Sequence, residues 1–244
     1  MKRRRGGVIE ATVFALAGMA ILAGLGVWQL DRKVWKEHLV ATLDARLSRP
    51  PAPLPPREAW PRLTAAADEY SRVTFPAQFI AGESALVYTA GSAFRPDISG
   101  AGYWVFAPAR LSGGSVVVVN RGFVPLERIE ASREVPQGTL DLVGVLRWPE
   151  KPGMFTPNDE PQNNVWYTRD QKAISATKSW DAPGPFYVEL EAPAPAGGLP
   201  KPGRLVVALP DNHLQYALTW FGLALALGGV YVTWLARRLR KRPA

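Results

Sequence analysis

Two long apolar runs, one near each end, set the frame that the rest of this 244-residue chain must fit. Leu214 to Leu235 carries no charged residue. At 1.5 Å per residue a helix of that length covers roughly 33 Å, about the thickness of a bilayer's hydrocarbon core. Val8 to Leu30 is similar, with one acid, Glu10, close enough to its start for the carboxylate to reach the headgroup region. Two membrane spans are therefore expected, 8–30 and 213–235. Ala15-Leu16-Ala17 has the look of a signal-peptide cleavage motif, but it falls in the middle of a run longer than a signal core, so the first span reads as a retained anchor.

The net charge of +8 would suit a nucleic-acid partner if it were spread over a folded domain. It is not. Lys2, Arg3, Arg4 and Arg5 precede the first span, and Arg237, Arg238, Arg240, Lys241 and Arg242 follow the second. Those nine charges less Glu10 account for the whole excess, and the stretch from Asp31 to Asn212 is balanced at 20 basic and 20 acidic residues. No nucleic-acid role is expected. The positive-inside rule places both basic tails, 1–7 and 236–244, in the cytoplasm and carries 31–212 across. The apolar run begins by the eighth residue with no Ser/Arg-rich amphipathic segment before it, which fits a bacterial inner membrane better than a mitochondrial presequence.

Within the exported segment, Trp35, Leu39, Leu43 and Leu47 recur every four residues, so 34–47 reads as an amphipathic helix continuing from the membrane. Arg49 to Pro61, rich in proline, reads as a linker. The remainder, 71–209, alternates short β-rich runs with turn residues. Expected strands are Ser71–Ile80, Ala85–Ala90, Gly102–Leu111, Ser115–Val124, Thr139–Trp148, Asn164–Thr168, Pro185–Ala192 and Arg204–Leu209, with a hairpin at Gly113-Gly114 and one further helix over Arg169–Trp180. The fold class is membrane α + β: two transmembrane helices flanking a mainly antiparallel β domain, sheet or partial barrel, with small helices.

Chemistry is sparse. Without cysteine there is no disulfide, thiolate metal site or cysteine nucleophile, and only three methionines occur. Of the two histidines, His213 lies at the edge of the second span and His38 about nine residues beyond the first on the amphipathic helix, so Leu39 to Asn212 holds no base for a Ser-His-Asp arrangement unless one of them reaches in. Ser175 and Lys178 have S-x-x-K spacing, but the S-D-N and K-T-G companions of that motif are missing. Asp159, Glu160 and Asp170 read as surface and cap residues. Asn120-Arg121-Gly122 interrupts the strand "SVVVV" with a turn, Gly122 supplying the geometry and Arg121 solvated or bound to a helix cap, with a partner-binding corner as the alternative. At the membrane edges Gln29, Arg32 and Lys36 share one helix face, as do His213, Tyr216, Ala217 and Trp220.

The segments "LGVWQLDRKVWK", "GYWVFAPARLSGGSVVVVNRGFVP", "LVGVLRWPE", "PGMFTPNDEPQNNVWY", "PFYVE" and "NHLQYALTWFGLALAL", in this order and between two spans, resemble the SURF1 family of assembly factors for cytochrome c oxidase. Phe123 stands where that family often has tryptophan. The resemblance implies an assembly role and no catalysis. It also implies haem a as a transiently bound cofactor, and His213 as the axial ligand of its iron. Tyr216, Trp220, Trp28 and Gln29 would then surround the haem. Implied partners are the oxidase's catalytic subunit, haem a synthase and the lipid bilayer, with a homo-oligomer left open. Two readings of other classes stand beside it: a haem-independent membrane scaffold for oxidase intermediates, and a membrane-tethered Ser-Lys hydrolase using Ser175 and Lys178.

Overall fold

A computed structural model of the chain describes residues 2–92, 94–182, 184–207 and 211–240, with the backbone alone for 2–6. The side chains of the first basic tail, Lys241 and Arg242 of the second, and 208–210 at the end of the expected strand Arg204–Leu209 lie outside the described residues. The chain divides into two units, Met1–Ala41 with Leu209–Ala244, and Thr42–Ala208.

The first unit is a pair of helices. Helix α1 runs from Lys2 to Leu47 and α4 from His213 to Arg240, and both contain stretches long and apolar enough to cross a membrane. No proline interrupts α1 before Pro50, so the expected span and the expected amphipathic helix form one continuous element. The two helices meet through small residues and through polar contacts. Ala15 and Ala217 are buried, and a methyl on Gly26 would lie 2.5 Å from Cε1 of Phe221. Gly18 faces Leu227 and Met19 faces Gly228, an antiparallel register in which small residues let the backbones approach. Thr12 donates its hydroxyl to the Val8 carbonyl (2.7 Å), so across the 2.6 Å contact it is the Tyr231 hydroxyl that donates to Thr12.

The second unit is a β barrel with additions. Its strands are β1 (Ala52–Pro53), β2 (Arg72–Phe79), β3 (Ala85–Thr89), β4 (Gly102–Leu111), β5 (Val116–Pro125), β6 (Leu140–Arg147), β7 (Val165–Trp166) and β8 (Tyr187–Ala192). They form one sheet in the order β1-β2-β6-β8-β5-β4-β3-β7, and a further pairing of β2 with β4 closes β2, β6, β8, β5 and β4 into a ring. Alternate residues fill its interior, among them Phe75, Phe79, Val117, Val119, Leu142, Leu146, Val188 and Leu190. A second layer lies on the opposite face, where Trp104, Phe106, Val118, Phe123 and Tyr187 pack under Ile174 of α3 (Gln171–Lys178). Strand β5 is thus buried on both faces, which is why it reads as unbroken valine rather than as alternation. Most pairs are antiparallel, but β1–β2, β3–β7 and β5–β8 are parallel.

Several expectations need correction. The proline-rich stretch 49–61 is not a linker. It supplies β1 and a 3-10 helix, Arg57–Arg62, whose Trp60 is 2% exposed, stacks edge-on against Phe186 and donates Nε1–H to the Pro55 carbonyl at 2.8 Å. Proline's fixed φ suits both an edge strand and a 3-10 turn, and a buried indole then anchors the segment. Arg204–Val207 form no strand; Leu205 is buried, and the Val206 N–H donates to the Phe94 carbonyl at 2.8 Å. Nor does Asn120-Arg121-Gly122 end its strand: β5 continues to Pro125, but these residues form a β-bulge, three residues from Asn120 to Phe123 against two from Phe106 to Trp104, with Gly122 at φ +122°. Small helices also occur at Ala65–Asp68 (α2) and, as 3-10 turns, at Leu126–Ser132 and Pro161–Asn163.

Candidate functional site

At the start of α4 the His213 N–H donates to the Asp211 carboxylate at 2.9 Å, and the first helical bond runs from the Tyr216 N–H to the Asn212 carbonyl at 3.1 Å. An acid just ahead of a helix satisfies one of its orphan donors and suits the positive end of the dipole. This places the imidazole one turn before the buried Ala217, on the stripe that meets α1. There His213 Nδ1 lies 2.7 Å from Oε1 of Gln29. The amide oxygen can only accept, so Nδ1 is the donor across this contact, and in the neutral imidazole the lone pair is then on Nε2. Among the described residues nothing hydrogen-bonds Nε2.

The structure therefore brings together two of the expected site residues, 184 positions apart, and arranges the others around them less tightly. Trp28 and Tyr216 are 55% and 53% exposed on the surface of the helix pair, and Trp220 is half-buried. No hydrogen bond or ring contact among the described residues joins these three aromatics to His213. Arg32, expected on the same face as Gln29, instead lays its guanidinium over Trp35 at 3.9 Å. His38 is exposed on α1. A shallow hollow of about 580 Å3 runs along Leu214, Gln215, Leu218 and Thr219, and His213 is not among its lining residues. Among the described residues no group of three or more His, Asp or Glu side chains gathers as a metal site.

In the β domain the S-x-x-K residues lie on α3. Ser175 Oγ is buried with no hydrogen-bond partner, while the Lys178 ammonium lies 6.0 Å from the Trp166 ring centroid. Asp170 caps α3 by accepting from the N–H groups of Lys172 and Ala173, and Asp159 accepts from the Tyr167 N–H at 2.8 Å; both are structural uses.

A buried ionic network does lie beneath this layer, and sequence reasoning passed over it. Glu189 on β8 accepts from Arg147 Nη1 at 3.3 Å and has Arg169 Nη1 at 3.7 Å, while Arg169 also pairs with Glu150 at 2.5 Å and Arg147 with Glu69 at 3.3 Å. Burial alone would lower both guanidinium pKa values, but the neighbouring Tyr187 and Glu189 outweigh it and hold both above the ordinary arginine range. Burial pushes the Tyr187 phenol up in turn. Asn120 Nδ2, Tyr187 OH and Glu189 Oε1 are buried without partners at this network. The available signal was a lone charge inside an otherwise apolar strand, as in "VGVLRW" and "FYVEL".

Comparison with known proteins shows the family. The model of the SURF1 family matches residues 16–225. A SURF1-like protein of Monosiga brevicollis is 33% identical over 235 residues, covering 91% of this chain and 85% of its own. Surfeit locus protein 1 of Mus musculus is 32% identical over 245 residues (94% of this chain, 76% of its own), and that of Homo sapiens 29% over 238 (90% and 75%). The matched range runs from within α1, through the β domain, into α4, and by it the chain belongs to the SURF1 family.

Proposed function

We propose that this chain is a membrane-anchored assembly factor for the haem-copper cytochrome c oxidase and that it holds haem a, with the iron on His213, for delivery to the oxidase's catalytic subunit. Family membership supports the assembly role. The observation that carries the haem reading is the 2.7 Å contact between His213 Nδ1 and Gln29 Oε1.

The residues present fit the group. Haem supplies an iron with an open axial position, for which a neutral imidazole is a standard ligand. Gln29 accepts the Nδ1 proton, sets the tautomer and limits ring rotation, as partners of metal-binding histidines commonly do. Trp28 and Tyr216 offer exposed aromatic surface on the same helix pair, and Trp220 stands one turn deeper than Ala217. A ligand at the lipid edge can take an apolar macrocycle without passing it through water.

The chain acts here as a carrier and not as an enzyme, a reading supported by its family membership. We place it in a bacterial inner membrane with both tails cytoplasmic and 31–212 periplasmic, next to haem a synthase and the oxidase's catalytic subunit.

The test uses full-length protein purified from cells that make haem a. His213→Ala should remove or strongly shift the haem spectrum, His38→Ala should leave it, and Gln29→Leu should weaken haem retention by about 10- to 100-fold. An unchanged spectrum for His213→Ala at equal protein level overturns the ligand assignment. Wild-type protein that carries no haem yet supports oxidase maturation points to the scaffold instead.

A further inference from the structure

Arg121 differs from other buried and half-buried arginines of the β domain. Arg72 pairs with Glu191 at 2.6 Å, Arg95 with Asp97 at 2.8 Å, Arg147 with Glu189 at 3.3 Å and Arg169 with Glu150 at 2.5 Å. Arg121, 3% exposed, has no carboxylate in ion-pair contact among the described residues. Its guanidinium donates Nη1–H to the Ser132 carbonyl at 3.2 Å and Nη2–H to the Glu134 carbonyl, and stands 5.4 Å from the centroid of the Phe79 ring. Two neutral carbonyls and a ring face engage two of its five N–H donors and do not neutralise its charge. Burial accordingly pulls its pKa down to about 10, with the exposed Glu134 opposing weakly.

This unpaired cation lines a cavity of about 390 Å3. Phe79, Leu140, Leu142 and Leu190 make apolar walls from three strands of the barrel, and the exposed Glu134 and the Pro193–Gly197 segment form a rim. At about 30 Å3 per water-sized group the space takes about a dozen non-hydrogen atoms. A buried cation that makes no ion pair with the exposed Glu134 of the rim, in a cavity whose other walls are apolar, recognises one negative charge on a hydrocarbon body. It does not suit a multiply charged phosphate, which would lack further donors there, nor a neutral lipid chain, which would leave the guanidinium unpaired.

We propose that this cavity binds a small apolar monocarboxylate, its carboxylate on Arg121 and its hydrocarbon body against Phe79, Leu140, Leu142 and Leu190. The site is independent of the helix pair and of the haem reading.

The experiment titrates the full chain in lipid nanodiscs with 4-phenylbutyrate, whose size matches the cavity, and with its uncharged amide, by calorimetry. Saturable one-to-one binding of the carboxylate is expected, with the amide weaker by at least about tenfold, the value of one charge-assisted contact. Arg121→Gln should weaken the carboxylate by a similar factor and leave the amide unchanged. Leu140→Trp, which fills the cavity and keeps Arg121, should abolish binding of both, and it serves as the test if Arg121→Gln does not fold. Equal affinity for acid and amide, binding that survives Leu140→Trp, or no saturable binding of 4-phenylbutyrate to the wild type overturns the proposal and leaves Arg121 as a latch between β5 and 132–134. Tighter, Arg121-dependent binding of a short apolar peptide with a free C-terminus would overturn the small-molecule assignment in favour of a polypeptide end.

Discussion

Replacing Gly122 by alanine tests the packing logic of the barrel at its tightest point. Gly122 has φ +122° on β5, and a Cβ there would sit 2.3 Å from both the carbonyl carbon and the oxygen of Lys201. A side chain at that φ costs about 1–3 kcal/mol before any overlap is counted. Relieving the overlap means moving the Lys201–Pro202 backbone by about an ångström, well beyond the tolerance of a close-packed contact. That movement disrupts the reciprocal bonds Phe123 N–H to Lys201 O (3.0 Å) and Lys201 N–H to Phe123 O (2.7 Å), each contributing about 0.5–1.5 kcal/mol net. It also strains the Arg95 contact to the Pro202 carbonyl at 3.2 Å. The total, about 3–5 kcal/mol, is a large share of a typical domain's stability and corresponds to a fall of about 10 °C in midpoint. Thermal unfolding of the purified chain, followed by near-ultraviolet circular dichroism, measures it. Gly82→Ala is the control, because Gly82 also has positive φ (+76°) but nothing within 4 Å of a built Cβ. It should lose only the conformational part. Equal losses at the two positions, or a loss below about 1 kcal/mol at Gly122, would refute the argument that the Lys201 backbone sets the requirement for glycine.

Trp60→Ala should destabilise the β domain by about 3–5 kcal/mol in denaturant unfolding, with Trp60→Phe losing clearly less; if the alanine variant is near neutral, the 49–61 segment is the loose connection that its prolines suggest. Asp97 gives a pH signature. Arg95's fork, opposed by partial burial and aided by Lys201, holds its carboxyl well below the ordinary carboxylate range. A depressed folded-state pKa stabilises above the unfolded value of about 4 and loses that contribution as pH falls through the folded one. The stability gap between wild type and Asp97→Asn should therefore be full at pH 7 and shrink below about pH 4, and a gap constant from pH 7 to pH 3 would contradict the pairing.

What the sequence could disclose depended on how local the cause was. Strands such as Arg72–Phe79 and Gly102–Leu111 were legible because β-branched and aromatic residues lie between turn formers, and the Leu111–Ser115 hairpin because Gly114 supplies positive φ. Closure was not legible: the β2–β4 pairing depends on Ala77 meeting Leu111, a long-range match that no window contains. Trp60 packs against Phe186, more than 120 residues away, so its segment looked like punctuation only. "RLVVAL" has strand composition, yet at Arg204–Val207 its residues pack individually instead of joining the ladder. At the candidate site, helical spacing placed Gln29 and His213 near one membrane edge, but it grouped Gln29 with Arg32 and Lys36; which face turned toward α4 was set by Gly18 and Gly26 packing on Leu227 and Phe221. Arg121 was hidden for the opposite reason, since polarity in sequence suggests solvent, and its burial follows from carbonyls at 132 and 134 that arrive from the next loop.

The insertion of β8 between β5 and β6 also orders events during synthesis. Strands β2 to β6 are complete by Arg147, but the ring lacks a member until Tyr187–Ala192 has emerged, barely 20 residues before α4 begins. Through that interval the facing edges of β5 and β6 present unpaired donors and acceptors, flanked by valine-rich surface suited to pairing with any stray strand. A nascent chain halted before residue 187 should therefore be the form most prone to aggregate and most dependent on holding chaperones. Release of the last β strand, more than any earlier step, commits the domain to its native state.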